Sequence, residues 1–215
     1  MSEETFTPAL GRLAPARFFD YVVALTRERL WRGLTVMHLA PRPDDTILDV
    51  GCGTGSLALL AARVEPQANI VGLDPDPEIL TVARQKDAHS RVRWLTGMGD
   101  DLVASVGAES MDGVTSSLVL HQCPMDVKRA ILASMFAVLR PGGRLVIADF
   151  GWQRTPLMRL AFRFVQFADG KTDTQPNADG VLPELISAAG FTDVREADVV
   201  ATINGTISIY TARKR

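Results

Sequence analysis

Nine residues constrain this chain more than any others: Ile47-Leu48-Asp49-Val50-Gly51-Cys52-Gly53-Thr54-Gly55, an apolar segment that runs straight into a glycine-dense turn. Aliphatic and β-branched residues ahead of the glycines read as a buried parallel strand, and Ser56-Leu57-Ala58-Leu59-Leu60-Ala61-Ala62 behind them reads as a helix. Glycines there let the backbone approach a nucleotide-like ligand at the helix N-terminus. The spacing then separates ligand classes. A dinucleotide fingerprint, G-x-G-x-x-G, would place its third glycine at position 56, where this chain has Ser56. Asp49 sits two places before the first glycine, and a carboxylate there suits a ligand with an amino group and a positive charge better than a pyrophosphate.

Strands and helices alternate around this turn. Apolar positions at helical spacing over residues 16–39 predict a helix that ends before Pro41-Arg42-Pro43. Strands are expected near 46–50, 70–74, 92–96, 113–119 and 144–150, with helices near 56–65, 77–88 and 126–139. Asp76-Pro77-Glu78 supplies an N-cap and a first-position proline to the second of those helices, which leaves Asp74 without a capping task. Arg140-Pro141-Gly142-Gly143-Arg144 breaks a helix and turns tightly into the fifth strand. After residue 150 come an apolar and aromatic segment (155–168), a polar loop, a helix over 181–189 closed by Gly190, and strands near 193–200 and 206–213 joined by Asn204-Gly205. The expected fold is α/β: a Rossmann-like seven-stranded sheet, mostly parallel, with an antiparallel C-terminal hairpin and helices on both faces. It is expected as a single domain over 1–215, with an N-terminal helical segment (16–40), a core (45–150), and a lid plus hairpin (151–215).

Bulk properties remove several function classes. A net charge of −2 over 215 residues offers no basic excess for nucleic acid. Cys52 and Cys123 form neither a disulfide framework nor a metal-ligand spacing, and no His/Asp/Glu cluster suggests a metal. The acidic start lacks the apolar stretch of a signal peptide and no run is long enough to span a membrane, so the cytoplasm is the expected compartment.

The candidate site residues lie at the carboxyl ends of the expected strands, where open α/β sheets bind ligands. Asp74 follows Gly51 by 23 residues, close to the spacing at which an acidic residue accepts from both hydroxyls of a ribose. Asp49 is assigned to an amino group of the ligand or to loop amides. Cys52 reads as a small packed residue with its amide facing the ligand. Ser117 and His121 close the fourth strand, and His121 is the candidate catalytic base, since its unperturbed pKa lies near neutrality. His38 and His89 read as surface or packing residues.

With these residues in place, the chain resembles the class I S-adenosyl-L-methionine (SAM) methyltransferases, and within them the group related to the ubiquinone/menaquinone-biosynthesis enzymes. The most specific stretches are Asp49–Gly55, Gly72–Pro77, Ser116–His121 and Leu139–Phe150. The resemblance implies SAM as cofactor and S-adenosyl-L-homocysteine as product. It assigns Asp49, Gly51, Cys52, Gly53, Gly55, Asp74, Pro75 and Ser117 to the cofactor. Met98 and Gly99 would give backbone bonds to adenine, although Met98 replaces the family's usual acidic residue; Asp100 is a substitute for it and also a candidate helix cap. Tyr21, Arg27 and Arg32 are candidates for the methionyl carboxylate. Gln122 stands where some relatives carry a second histidine. The implied partner is a small-molecule methyl acceptor, with no metal and no nucleic acid, in a monomer or homodimer. The N-terminal helix and the aromatic 155–168 segment are the natural walls of a pocket for a lipophilic or aromatic acceptor; equally, these residues pack the helix onto the sheet or form a dimer face. Two alternatives stay open: a SAM-binding protein without methyl transfer, and an NAD(P)-dependent oxidoreductase, which Ser56 disfavours.

Overall fold

A computed structural model describes residues 27–215. The sheet has seven strands: β1 (Thr46–Val50), β2 (Asn69–Asp74), β3 (Val92–Thr96), β4 (Met111–Ser117), β5 (Leu139–Phe150), β6 (Thr192–Thr202) and β7 (Gly205–Arg213), in the order β3-β2-β1-β4-β5-β7-β6. Strands β1 to β5 pair in parallel, and β7 runs antiparallel to both β5 and β6. The order reverses at β1, so the crevice above β1 and β4 is the topological switch point where such sheets hold ligands. The expected sheet and its terminal hairpin are therefore observed.

The helices cover both faces. They are α1 (Glu28–Leu39), α2 (Ser56–Val64), α3 (Pro77–Lys86), α4 (Leu102–Val106), α5 (Met125–Val138), α6 (Pro156–Asp169), α7 (Lys171–Ala178) and α8 (Leu182–Ala188). Strand alternation divides the core. Leu48, Val50, Val114 and Ile147 turn to the face covered by Leu132 and Met135 of α5 and Ile186 of α8. Ile47, Val146 and Ala148 turn to the opposite face, covered by Trp31 and Leu39 of α1, Ala58 and Ala61 of α2, and Phe162 of α6. Asp76 caps α3, its Oδ1 accepting from the amides of Glu78 (2.8 Å) and Ile79 (3.3 Å), with Pro77 at the first position.

Three expectations need correction. The fifth strand begins at Leu139 rather than 144: the Pro-Gly-Gly segment is a bulge inside it, where Met111 pairs Leu139 but Gly113 already pairs Arg144. The tail holds it in place, Gly142 donating to the Lys214 carbonyl and Lys214 to the Gly143 carbonyl. The fourth strand spans Met111–Ser117 rather than 113–119, ending before Leu118, whose φ is +56°. The polar loop expected before residue 181 is helix α7 with Pro176 inside it. Its sequence has little apolar periodicity, but Thr174 and Asn177 are wholly buried, and Asn177 donates to the Phe150 carbonyl at 3.1 Å. Tertiary hydrogen bonds replace the missing apolar face. Helix α4 was anticipated only through the candidate cap at Asp100.

Candidate functional site

The glycine turn folds as β1 ends. Gly51, Gly53 and Gly55 all have positive φ (+68°, +53° and +78°), which L side chains rarely adopt. They do different work. A Cβ on Gly51 would meet Val119 at 2.4 Å and one on Gly55 would meet the Trp94 indole at 2.4 Å, so these two make room for protein side chains. Only Gly53 faces open space among the three. The expectation that all three serve ligand approach therefore narrows to Gly53. The expected role of the Cys52 amide also changes: it donates to the Leu73 carbonyl at 3.0 Å, as Gly51 does at 2.8 Å. The Cys52 side chain is buried, and burial drives its thiol far above the usual range, so no thiolate chemistry arises there.

Asp74 does have a structural task. At the end of β2 its Oδ2 accepts from the Gly53 amide (2.8 Å) and its Oδ1 from the Asp76 amide (3.0 Å), tying the glycine turn to the β2–α3 turn. Burial raises its pKa, opposed by those two amides. Pro75, half-buried, follows it.

Asp49 is the most unusual group in this region. It is 1% exposed, and among the described residues neither carboxylate oxygen accepts a well-formed hydrogen bond. Beside it in the sheet register lies Thr115, whose buried hydroxyl is unpartnered in the same way. Burial pushes the Asp49 pKa up to about 7, with the Arg32 guanidinium and the Ala58 amide pulling it down. An acceptor pair buried without donors costs stability unless a ligand supplies them. Asp49 shares its face of the sheet with Ile47, beneath α1. Arg32 on α1 stacks over the Trp31 ring at 5.0 Å and forms an ion pair with Glu28. The charge of Arg32 acts on Asp49; Arg27 is exposed at the start of α1, and Tyr21 lies outside the described residues.

At the end of β3, Met98 and Gly99 are half-buried. The Met98 carbonyl already accepts from the Asp101 amide at 3.3 Å; Asp101, not the exposed Asp100, holds the N-cap position of α4, without a side-chain capping bond. Across the crevice, Ser117 is half-buried at the end of β4 and the Ser116 hydroxyl donates to the Val50 carbonyl at 2.7 Å.

His121 sits in the 3₁₀ turn Leu120–Gln122 and is 5% exposed. Its Nδ1 lies 2.8 Å from Asp149 Oδ1 and its Nε2 3.4 Å from Asp169 Oδ2. Burial alone would lower its pKa, but the two carboxylates outweigh it and hold it at about 9. The side chain is therefore an imidazolium at neutral pH with both nitrogens directed at carboxylates, an arrangement that opposes proton abstraction. Asp149 also accepts from the amides of Val119 (3.1 Å), Leu120 (2.7 Å) and Phe150 (2.7 Å). Lys128, wholly buried, donates to the carbonyls of Cys123 and Asp173, both at 2.7 Å. Together these cations fasten the α6–α7 corner to the ends of β4 and β5. Phe150 packs edge-on against His121 (5.0 Å between centroids) and lies 5.1 Å from Phe162, giving an aromatic wall. His38 instead pairs with Asp198 of β6 at 2.5 Å, and His89 is exposed.

Sequence reasoning missed Asp149, Asp169, Lys128 and Thr115. Asp149 had a readable signal: it is an acidic residue that ends an apolar strand, as Asp49 does in β1.

Comparison with known proteins decides the class. Residues 47–143 match the family described as methyltransferase domain. The chain is similar to methyltransferases over that span. It is 38% identical over 128 residues to the 2-phytyl-1,4-naphtoquinone methyltransferase of Thermosynechococcus vestitus, a match covering 59% of this chain and 55% of that protein. To the demethylmenaquinone methyltransferase of Symbiobacterium thermophilum it is 29% identical over 212 residues, covering 86% and 82%. Among solved structures, phosphoethanolamine N-methyltransferase 2 of Haemonchus contortus, in complex with SAM, superposes with a TM-score of 0.69 at 14% identity, covering 93% of this chain and 56% of that one. The fold is thus the Rossmann-like fold of that solved methyltransferase, and the sequence is similar to the quinone-methylating enzymes.

Proposed function

We propose that this chain binds SAM across the β1–β2 edge of the crevice and transfers its methyl group to a small lipophilic or aromatic acceptor. The observation that carries the reading is the buried carboxylate of Asp49, which accepts no well-formed hydrogen bond among the described residues, on the strand that leads into the glycine turn with its one open glycine. An α-ammonium group supplies the missing donors and the compensating charge, whereas a pyrophosphate would add like charge. Asp49 and Thr115 would hold the amino end, Arg32 the carboxylate, and the second lone pairs of Asp74 the ribose hydroxyls. Pro75, Met98 and Gly99 would border the adenine, and Ser117 the reacting end.

When bound, SAM supplies a methyl group on a sulfonium already activated for transfer. The chain's part is to align the acceptor with that group and exclude water. The imidazolium of His121 is assigned to fixing the α6–α7 corner and the Phe150–Phe162 wall, in place of the base role. A hydrophobic aromatic wall suits an acceptor of the ring type named in the quinone-methylating relatives. The test is transfer of labelled methyl from SAM to a panel of reduced naphthoquinones and phenols. Labelled product supports the proposal. SAM binding with no transfer to any acceptor would favour the binding-only alternative.

A further inference from the structure

Helix α6 carries a second apolar face that the core does not use. Phe162 and Val165 turn inward against Phe150, β7 and the β6–β7 turn. Opposite them, Leu157, Leu160, Phe164 and Phe167 are 75%, 61%, 64% and 90% exposed. Their spacing of three, four and three residues puts them on one continuous stripe of an α-helix. The two phenylalanines alone present on the order of 300 Å² of apolar surface, as much as the largest patches that ordinary monomers leave uncovered.

Charge beside the stripe says what it meets. From Thr155 to Ala168 the only charged side chains are Arg159 and Arg163, both exposed, and both lie along the same flank of the stripe. Lys171 after the helix is exposed as well, while Arg154 before it pairs with Glu196. The one acidic residue of α6, Asp169, is turned inward to His121. Trp152, 46% exposed, stacks with the Arg154 guanidinium at 5.0 Å just ahead of the helix. The chain as a whole is acidic, with a net charge of −2, so this cationic border is local. A second copy docked antiparallel, about a two-fold axis lying across the stripe, would bring arginines against arginines. A basic flank, a Phe/Leu stripe and an adjacent Trp instead have the make-up of a helix that lies in the headgroup region of an anionic bilayer.

We propose that α6 docks the protein on an anionic lipid surface, with Leu157, Leu160, Phe164 and Phe167 inserted and Arg159 and Arg163 among the headgroups. The same helix ends at the His121–Phe150 wall. Docking would therefore set the acceptor side of the crevice against the lipid; that consequence alone rests on the function proposed above. The docking itself is read from vesicle binding, which needs neither cofactor nor acceptor.

The experiment is co-sedimentation of the full chain with phosphatidylcholine vesicles, with and without phosphatidylglycerol. Wild type should pellet with the anionic vesicles and be released by raised salt. The F164S/F167S double variant should lose roughly tenfold or more in partitioning, and Arg163→Glu should weaken it while keeping some binding to neutral vesicles. Circular dichroism melts should leave both variants folded, since the replaced side chains are exposed. Three results would overturn the proposal: wild type remaining in the supernatant, the double variant pelleting like wild type, or sedimentation velocity showing a wild-type dimer that the double variant dissolves.

Discussion

Replacing Asp49 with asparagine should make the protein more stable at alkaline pH while weakening its hold on SAM. Burial moves the Asp49 pKa from an ordinary 3.8 to about 7. The folded state therefore binds this proton more tightly than the unfolded chain does. The charged carboxylate costs nothing below the unfolded value. Its cost grows as pH rises through the interval between the two values and is constant above the folded one. A gap of about three pH units corresponds to roughly 4 kcal/mol in full. Between pH 5 and pH 8 the stability of wild type should drop by roughly 2.5 kcal/mol relative to Asp49→Asn. The amide shares the burial of the protonated acid, so burial cancels in this pH-dependent difference. Urea melts of both proteins at the two pH values measure it. The reasoning fails if the stability gap is the same at pH 5 and pH 8, because Asp49 would then carry no buried charge. In calorimetry at neutral pH the same variant should bind SAM about tenfold more weakly or worse, a loss of about 1.4 kcal/mol.

Other sites give predictions of opposite sign or different size. His121, held at about 9 rather than 6.5, contributes stability that is complete below pH 6.5 and lost as pH rises through 9. Urea melts should show this fall, about 3 kcal/mol, in wild type and its absence in His121→Gln. Asp74→Ala removes the acceptor of the Gly53 and Asp76 amides. It should cost about 2 kcal/mol in urea melts and weaken SAM binding at least about tenfold in calorimetry; unchanged affinity in a folded variant would remove Asp74 from the site. Gly53→Ala should cost about 1–2 kcal/mol from its positive φ alone, whereas Gly55→Ala should cost about 3 kcal/mol or more because its methyl also meets Trp94. Thermal melts of the pair check the order.

What could be read in advance follows from the range of the interactions. Local patterns placed β1, the glycine turn, the Asp76 cap and the Asn204-Gly205 hairpin, because each is decided within a few residues. Helix α7 escaped because its burial rests on Asn177 reaching the Phe150 carbonyl, 27 residues away in sequence. The charge of His121 escaped for the same reason: its carboxylates are Asp149 and Asp169, one on a strand end and one on a helix end. Asp74 looked free for a ligand because the Gly53 amide, 21 residues earlier, could not be seen to reach it. Conversely, Asp49 stood out from its place before the glycines, while its lack of a well-formed hydrogen bond among the described residues became visible only in three dimensions.

The central claim is that the crevice above β1 is built for SAM rather than for a dinucleotide. Isothermal titration of the full chain with SAM, S-adenosyl-L-homocysteine and NADH tests it most directly. Saturable binding of the first two at one site per chain, with none for NADH, is the predicted result. Binding of NADH in preference to SAM, or no binding of SAM and S-adenosyl-L-homocysteine at all, would contradict it.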